Sequence, residues 1–240
     1  MIHKLSMLFV VFVIAAVLAA CTIVTGSGRI VSEERTVSDF TGVALSGSGE
    51  LTIEQGDGYS LVVEADDNVL EWIETKVSGN TLNIGFRPGA NIVNPSRAVQ
   101  YRLTMPNLNE VEISGSGSVA ADRAVSERFK ATVSGSGELA IDAVTAANVA
   151  VTISGSGNVQ MAGAAQSQEV TVSGSGNYAA ADLASESADI TISGSGSATV
   201  WAAQHMNIEV SGSGNVSYYG TPTIDQQTSG SGRVNSLGNR

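Results

Sequence analysis

Between Pro106 and Pro222 the chain has no proline, and its 240 residues hold one cysteine, two histidines and two tryptophans. A single cysteine excludes an intramolecular disulfide, so the fold must be stable without one. Cys/His zinc spacing is absent as well. Aromatic residues make up 5% and charged residues 15% of the chain. So few large side chains argue against a conventional globular core and for a narrow, layered one. Lys and Arg number 12 against 23 Asp and Glu, a formal charge of −11. That balance excludes nucleic acid as a partner, because phosphate binding needs a basic patch. It excludes a polybasic grip on anionic lipid too. Strands tolerate proline poorly, so the proline-free stretch is where stacked strands are expected.

The first twenty residues have the pattern of a signal peptide. Lys4 is a short positive region and Leu5 to Leu18 an apolar one, too short to span a bilayer comfortably. Leu18-Ala19-Ala20-Cys21 follows. It resembles the lipobox of bacterial lipoproteins, which implies that the thiol of Cys21 takes a diacylglyceryl group and that Cys21 becomes the acylated first residue, with palmitate among its acyl chains. More than one acyl chain gives stable attachment. Thr22 stands where an aspartate would resemble an inner-membrane retention signal, so the outer membrane is the expected location. The expected organisation is a signal peptide over 1–20, a lipidated Cys21 with a tether over 21–34, one β-domain over 35–235 and a tail over 236–240.

What the chain has in abundance is glycine, 27 residues in all. Ser-Gly-Ser-Gly begins at Ser46, Ser114, Ser134, Ser154, Ser173, Ser193, Ser211 and Ser229. From Ser114 the steps are 20, 20, 19, 20, 18 and 18 residues. A flexible linker would show neither that spacing nor patterned flanks. Here apolar residues alternate on both sides, as in Val151 and Ile153 before the Ser154 motif and Val159 and Met161 after it. Period-2 alternation around a glycine bend predicts strand, corner, strand. Repeats near 20 residues predict stacked coils, each with two or three short strands. The variable part of each coil, such as Asp122–Lys130 or Ala181–Ala188, is expected to be a loop with a poorer third strand; short helices are the alternative.

The fold class expected is therefore all-β: a right-handed parallel β-helix or solenoid, with regular repeats over 111–235 and a less regular opening over 35–110. In that opening, Asp66-Asp67-Asn68 is expected to cap a short helix through Ile73, and Ser78-Gly79-Asn80 to form a hairpin turn. Gln226, Gln227 and Thr228 replace the apolar columns in the last repeat, a polar end that discourages edge-to-edge stacking.

The order of motifs is distinctive. The lipobox is followed by Phe40-Thr41-Gly42-Val43, Ser46-Gly47-Ser48-Gly49-Glu50-Leu51, Gly79-Asn80-Thr81-Leu82 and Met105-Pro106-Asn107-Leu108, then by the serial repeats. This resembles the head GIN domain family of bacterial auto-transporter adhesins over about residues 35–235. The resemblance implies a right-handed parallel β-helix and an adhesive role. It brings no catalytic residues.

No catalytic set, cofactor or metal site is expected. His3 leaves with the signal peptide, so His205 stands alone, and Ser-Gly-Ser-Gly lacks the features of phosphate-binding loops. Glu50 and Glu138 occupy equivalent repeat positions, but Ser118, Asn158, Asn177, Ser197 and Asn215 fill the others. The one surface pattern of note lies beside the corners. Thr132, Thr152, Thr171 and Thr191, with Ser134, Ser154, Ser173 and Ser193, predict a flat grid of hydroxyls and methyls on four consecutive coils. Such grids resemble ice-binding faces and suit sugars equally. Three readings stay open: a non-enzymatic lipid-anchored adhesin or envelope-structural protein with cell-surface partners, a glycan- or ice-binding module using this face, and a polysaccharide-degrading β-helix enzyme.

Overall fold

A computed structural model describes residues 22–240 of the chain. Its regular part runs as β10 (Glu110–Gly115), β11 (Ser118–Ala121), β12 (Ala124–Gly135), β13 (Glu138–Gly155), β14 (Asn158–Gly174), β15 (Asn177–Gly194), β16 (Ser197–Gly212), β17 (Asn215–Tyr219), β18 (Thr223–Gly230) and β19 (Arg233–Ser236). Successive coils pair in parallel and in register, so Ile113, Val133, Ile153, Val172, Ile192 and Val210 stand one above another. Each is fully buried. Leu139, Val159, Tyr178, Ala198 and Val216 form the facing column past the corner and are also buried. The result is a solenoid-like β-helix of about six turns with ~20-residue coils, as expected.

The two glycines of each motif answer to different constraints. At the central corner Gly155 has φ +118°, and a Cβ there would lie 2.5 Å from the carbonyl oxygen of Gly135 in the coil before. Gly157 has no such φ, but its Cβ would lie 2.4 Å from Val133 Cγ1 and 2.9 Å from the Gly137 carbonyl oxygen. The first glycine thus turns the chain, and the second lets a coil settle on the side-chain column beneath it. The serine between them donates its N–H down the stack, Ser156 to the Gly135 carbonyl at 2.8 Å.

The variable third of each coil is strand rather than helix. Phe129, Val149, Gln168, Ala188 and Met206 pair along a third buried column. Gln168 is the polar member. Its amide accepts from Tyr178 Oη at 2.8 Å and donates to Ser185 Oγ at 3.0 Å and to the Leu183 carbonyl at 3.2 Å. Ser185 Oγ donates in turn to the Trp201 carbonyl at 2.8 Å. With these bonds made, the buried amide is satisfied.

The opening section consists of β1 (Thr22–Thr25), β2 (Ile30–Arg35), β3 (Gly42–Gly47), β4 (Glu50–Gln55), β5 (Ser60–Asp66), α1 (Asp67–Leu70), β6 (Ile73–Ser78), β7 (Thr81–Phe86), β8 (Ala90–Asn94) and β9 (Gln100–Met105). β3 and β4 belong to the solenoid: β3 pairs in parallel with β7 and β10, and β4 with β9 and β11. The rest departs from simple coils. β5 lies antiparallel between β2 and β9, and β6 and β7 form an antiparallel hairpin around Gly79-Asn80. Its buried residues, Phe40 and Val69 among them, join the same core as the repeats.

Two expectations change here. The segment expected to be a tether is structured: β1 pairs in parallel with β8, and β2 pairs antiparallel with β5. Strand pairing and the hydrogen bonds of Asp66 and Asn68 hold it, and a free chain of the same composition would lack those partners. The helix after Asp66 is one turn, ending at Leu70, and Asp66 makes no side-chain cap bond. Its carboxylate is engaged elsewhere. At the other end of the stack, Gln226, Gln227 and Thr228 lie on an exposed final coil.

Candidate binding face

Thr132, Thr152, Thr171 and Thr191 are direct register partners on consecutive coils, as are Ser134, Ser154, Ser173 and Ser193. Inward-facing Val133, Ile153, Val172 and Ile192 separate the two rows, so both rows point outward, and all eight residues are exposed or half-buried. Stacked strands stand about 4.8 Å apart, so the rows place hydroxyls and methyls at that spacing along the stack. Glu112 pairs with Thr132 at one end and Glu209 with Thr191 at the other. The neighbouring outward column carries Glu110, Lys130, Ala150, Glu169 and Asp189. Lys130 Nζ lies 2.8 Å from Glu110 Oε1, and that hydrogen bond raises the pKa of the ammonium above its ordinary value. The surface is thus a hydroxyl patch framed by carboxylates.

The wall past the corner is concave. Ser118, Glu138, Asn158 and Asn177 line a shallow depression of about 390 Å³ together with Ala120, Ala140, Gln160 and Ala179. Glu138 is the one carboxylate in this lining. Ser118 stands between Glu50 and Glu138, and Gln100 Nε2 donates to Glu50 Oε2 at 2.8 Å. His205 is half exposed and lies 4.0 Å from Asp225, itself largely exposed. Among the described residues, no group of three or more His, Cys, Asp or Glu side chains is placed to hold a metal ion. No helix among them is long and apolar enough to cross a membrane. Cys21, the expected lipidation site, lies outside the described residues.

One cluster, built on the expected helix cap, joins residues far apart in the sequence. Asp66, Asp67 and Asn68 grip residues 25–29 from the side. Asp66 Oδ1 accepts from the Gly28 N–H and from Ser96 Oγ, each at 2.7 Å, and Oδ2 accepts from the Ser96 N–H at 2.8 Å. The Ser96 hydroxyl, followed by the N–H groups of Ser96 and Gly28, holds the carboxyl below its ordinary pKa against the opposing effect of burial. Asp67 accepts from Ser27 Oγ at 2.5 Å and from Arg29 Nε at 2.7 Å, and both lower its pKa. Asn68 donates to the Thr25 carbonyl at 2.8 Å and accepts from the Ser27 N–H at 2.9 Å. The only trace in the sequence was three short polar side chains in a row.

Comparison with known proteins agrees with this architecture. The family described as "Putative auto-transporter adhesin, head GIN domain" matches residues 39–222. A solved "putative adhesin" from Bacteroides fragilis NCTC 9343 is 23% identical, with a TM-score of 0.84 over 89% of this chain and 100% of that one. A "putative lipid binding protein" from Parabacteroides distasonis ATCC 8503 is 24% identical, with a TM-score of 0.72 over 90% of this chain and 100% of that one. A "putative adhesin" from Parabacteroides merdae ATCC 43184 is 20% identical, with a TM-score of 0.68 over 90% of this chain and 99% of that one. At these identities the likeness concerns the fold. No curated protein matches the chain.

Proposed function

The chain belongs to the head GIN domain family of auto-transporter adhesins, and from that premise we propose that it is a lipid-anchored, non-enzymatic adhesin of the cell envelope that binds surface glycans through its Thr/Ser face. The observation that carries the binding reading is the register of that face. Four coils present identical Thr and Ser rows on a rigid stack, where the groups are pre-organised and little side-chain entropy is lost on contact. Threonine offers a hydroxyl that both donates and accepts, beside a methyl that suits the apolar face of a sugar ring.

The anchor reading rests on Leu18-Ala19-Ala20-Cys21, with the bilayer as partner, and Thr22 after the cysteine supports the outer membrane as the location. The non-enzymatic reading draws support from the separation of Glu50 and Glu138, which have Ser118 between them.

The test is a glycan array probed with the soluble 22–240 chain, alongside Thr152→Arg/Thr171→Arg. Binding that is lost in the double variant, with an unchanged circular dichroism spectrum, supports the face. Equal binding by both proteins removes it. Turnover of any acidic polysaccharide would move the protein to the enzyme class.

A further inference from the structure

We propose that the lipid anchor is built into the fold rather than carried on a tether, so that it lays the N-terminal end of the stack, at the turn 87–89, on the phospholipid headgroups and directs the last coil away from the membrane. This rests on the lipid-anchoring reading above and adds a geometry to it.

Chain length separates the two arrangements. Fourteen free residues over 21–34 would reach roughly 46–50 Å when extended, enough to let the body turn at any angle. Instead Thr22, one residue after Cys21, already pairs with Ala90. Consecutive Cα atoms are about 3.8 Å apart, so a single peptide link separates Cys21 from the first paired residue. The strand is then secured. The Gly26 N–H donates to the Asn94 carbonyl at 2.9 Å, and the Asp66–Asn68 clasp holds residues 25–29, from the last residue of β1 onward. No space is left for slack, since a Cβ on Gly26 would lie 2.4 Å from both Asp66 Oδ2 and the Ser96 nitrogen.

The parallel pairing then fixes what lies beside the anchor. β1 and β8 run in the same direction, so the start of β1 adjoins the start of β8 and the turn leading into it, Arg87-Pro88-Gly89, whose three residues are exposed. The Arg87 N–H donates to the carbonyl of half-buried Trp72 at 2.8 Å, bringing that residue to the same edge. Tryptophan and arginine suit the headgroup layer, the indole for its amphipathic ring and the guanidinium for phosphate. In the stack, β7 leads to β18 through β3, β10, β12, β13, β14, β15 and β16. At about 4.8 Å per step, that puts the final coil some 40 Å from the anchored end.

The test uses the full acylated chain in phospholipid vesicles containing a headgroup-linked energy acceptor. With Cys21 acylated, a thiol at Pro88→Cys or Ser236→Cys takes a donor dye selectively. Energy transfer several-fold stronger from position 88 than from position 236 supports the proposal. Equal transfer from both, in protein that co-sediments with the vesicles, overturns it. Failure to co-sediment overturns the lipid-anchoring reading instead, so the two failures are distinguishable. A flexible Gly/Ser insert between Cys21 and Thr22 supplies the missing tether. The difference between the two positions should then collapse, and its persistence would show that β1 does not set the geometry.

Discussion

The corner glycines allow a graded prediction. At the central corner, alanine at position 155 would have to hold φ +118° and place its Cβ 2.5 Å from the Gly135 carbonyl oxygen. The backbone strain costs about 1–3 kcal/mol and the overpacking about 1–3 kcal/mol, so Gly155→Ala should destabilise by about 2–6 kcal/mol. Gly157→Ala carries only the overpacking, against Val133 and the Gly137 carbonyl, and should cost about 1–3 kcal/mol. Ser156→Ala, at an exposed position, should stay within about 0.5 kcal/mol. In a chain of this size each kcal/mol lowers Tm by about 2–4 °C, so thermal unfolding followed by circular dichroism resolves the order. Position should matter as well. Gly232 faces the same crowding, 2.6 Å from the Gly214 carbonyl oxygen and from Val210 Cγ1, but it lies in the final coil. A solenoid couples each coil to its neighbours only, so Gly232→Ala should fray the end and leave the main transition near that of the parent. A serine variant that outweighs both glycine variants, or a Gly232→Ala loss equal to that of Gly157→Ala, would refute this account of the motif.

Other perturbations address the interior, the clasp and the anchor. Tyr178→Phe and Gln168→Leu should each cost about 1–3 kcal/mol by orphaning a buried partner, and the double variant should cost less than the sum in a thermodynamic cycle. The Asp66 carboxyl has a lowered pKa in the fold, so its contribution is complete above the unfolded value of about 3.9 and is lost as pH falls through the lowered folded value. Amide exchange of Gly28 and Ser96 should therefore accelerate selectively under acid conditions, whereas Asp66→Asn should show the faster exchange already at neutral pH. Cys21→Ser should abolish incorporation of labelled palmitate and release the protein from the membrane fraction.

The elements differ in how visible they are in one dimension, and the difference has a physical cause. Val151, Ile153, Val159 and Met161 announce their strands because neighbouring coils repeat the pattern and buried strands must alternate. The hairpin at Gly79-Asn80 is equally local: Gly79 takes φ +60°, as a two-residue turn needs. The third wall is obscured because Gln168 and Ala188 interrupt its apolar column and the register shifts between Ala180 and Ala184. Tyr178, which reaches over from the facing column, makes the glutamine acceptable together with Ser185 and the Leu183 carbonyl. The clasp was hidden more thoroughly. Its partners, Gly28, Asp66 and Ser96, lie 30 or more residues apart, while the same Asp-Asp-Asn has a complete local explanation as a helix cap. A local rule that fits the sequence conceals a distant one.

The Thr/Ser rows were legible for the same reason as the core, since they repeat with it, and their limits help choose among ligands. Stacking occupies the corner glycines and the apolar columns, so recognition falls to the outward columns, and on this face those are uniform only from Thr132 to Thr191. Three steps between coils span about 14 Å. Beyond them stand Glu112 and Glu209, with Glu169 and Asp189 alongside. Carboxylates keep their own hydration, which works against a continuous flat lattice such as ice. Toward a sugar the same groups are acceptors for its hydroxyls, and toward an acidic polymer they are repulsive. A short hydroxyl patch framed by carboxylates therefore favours a neutral or amino-bearing glycan. On the array described above, binding confined to sulfated or uronic-acid glycans would contradict that preference, and binding to neutral or amino-bearing glycans that Thr152→Arg/Thr171→Arg abolishes would meet it.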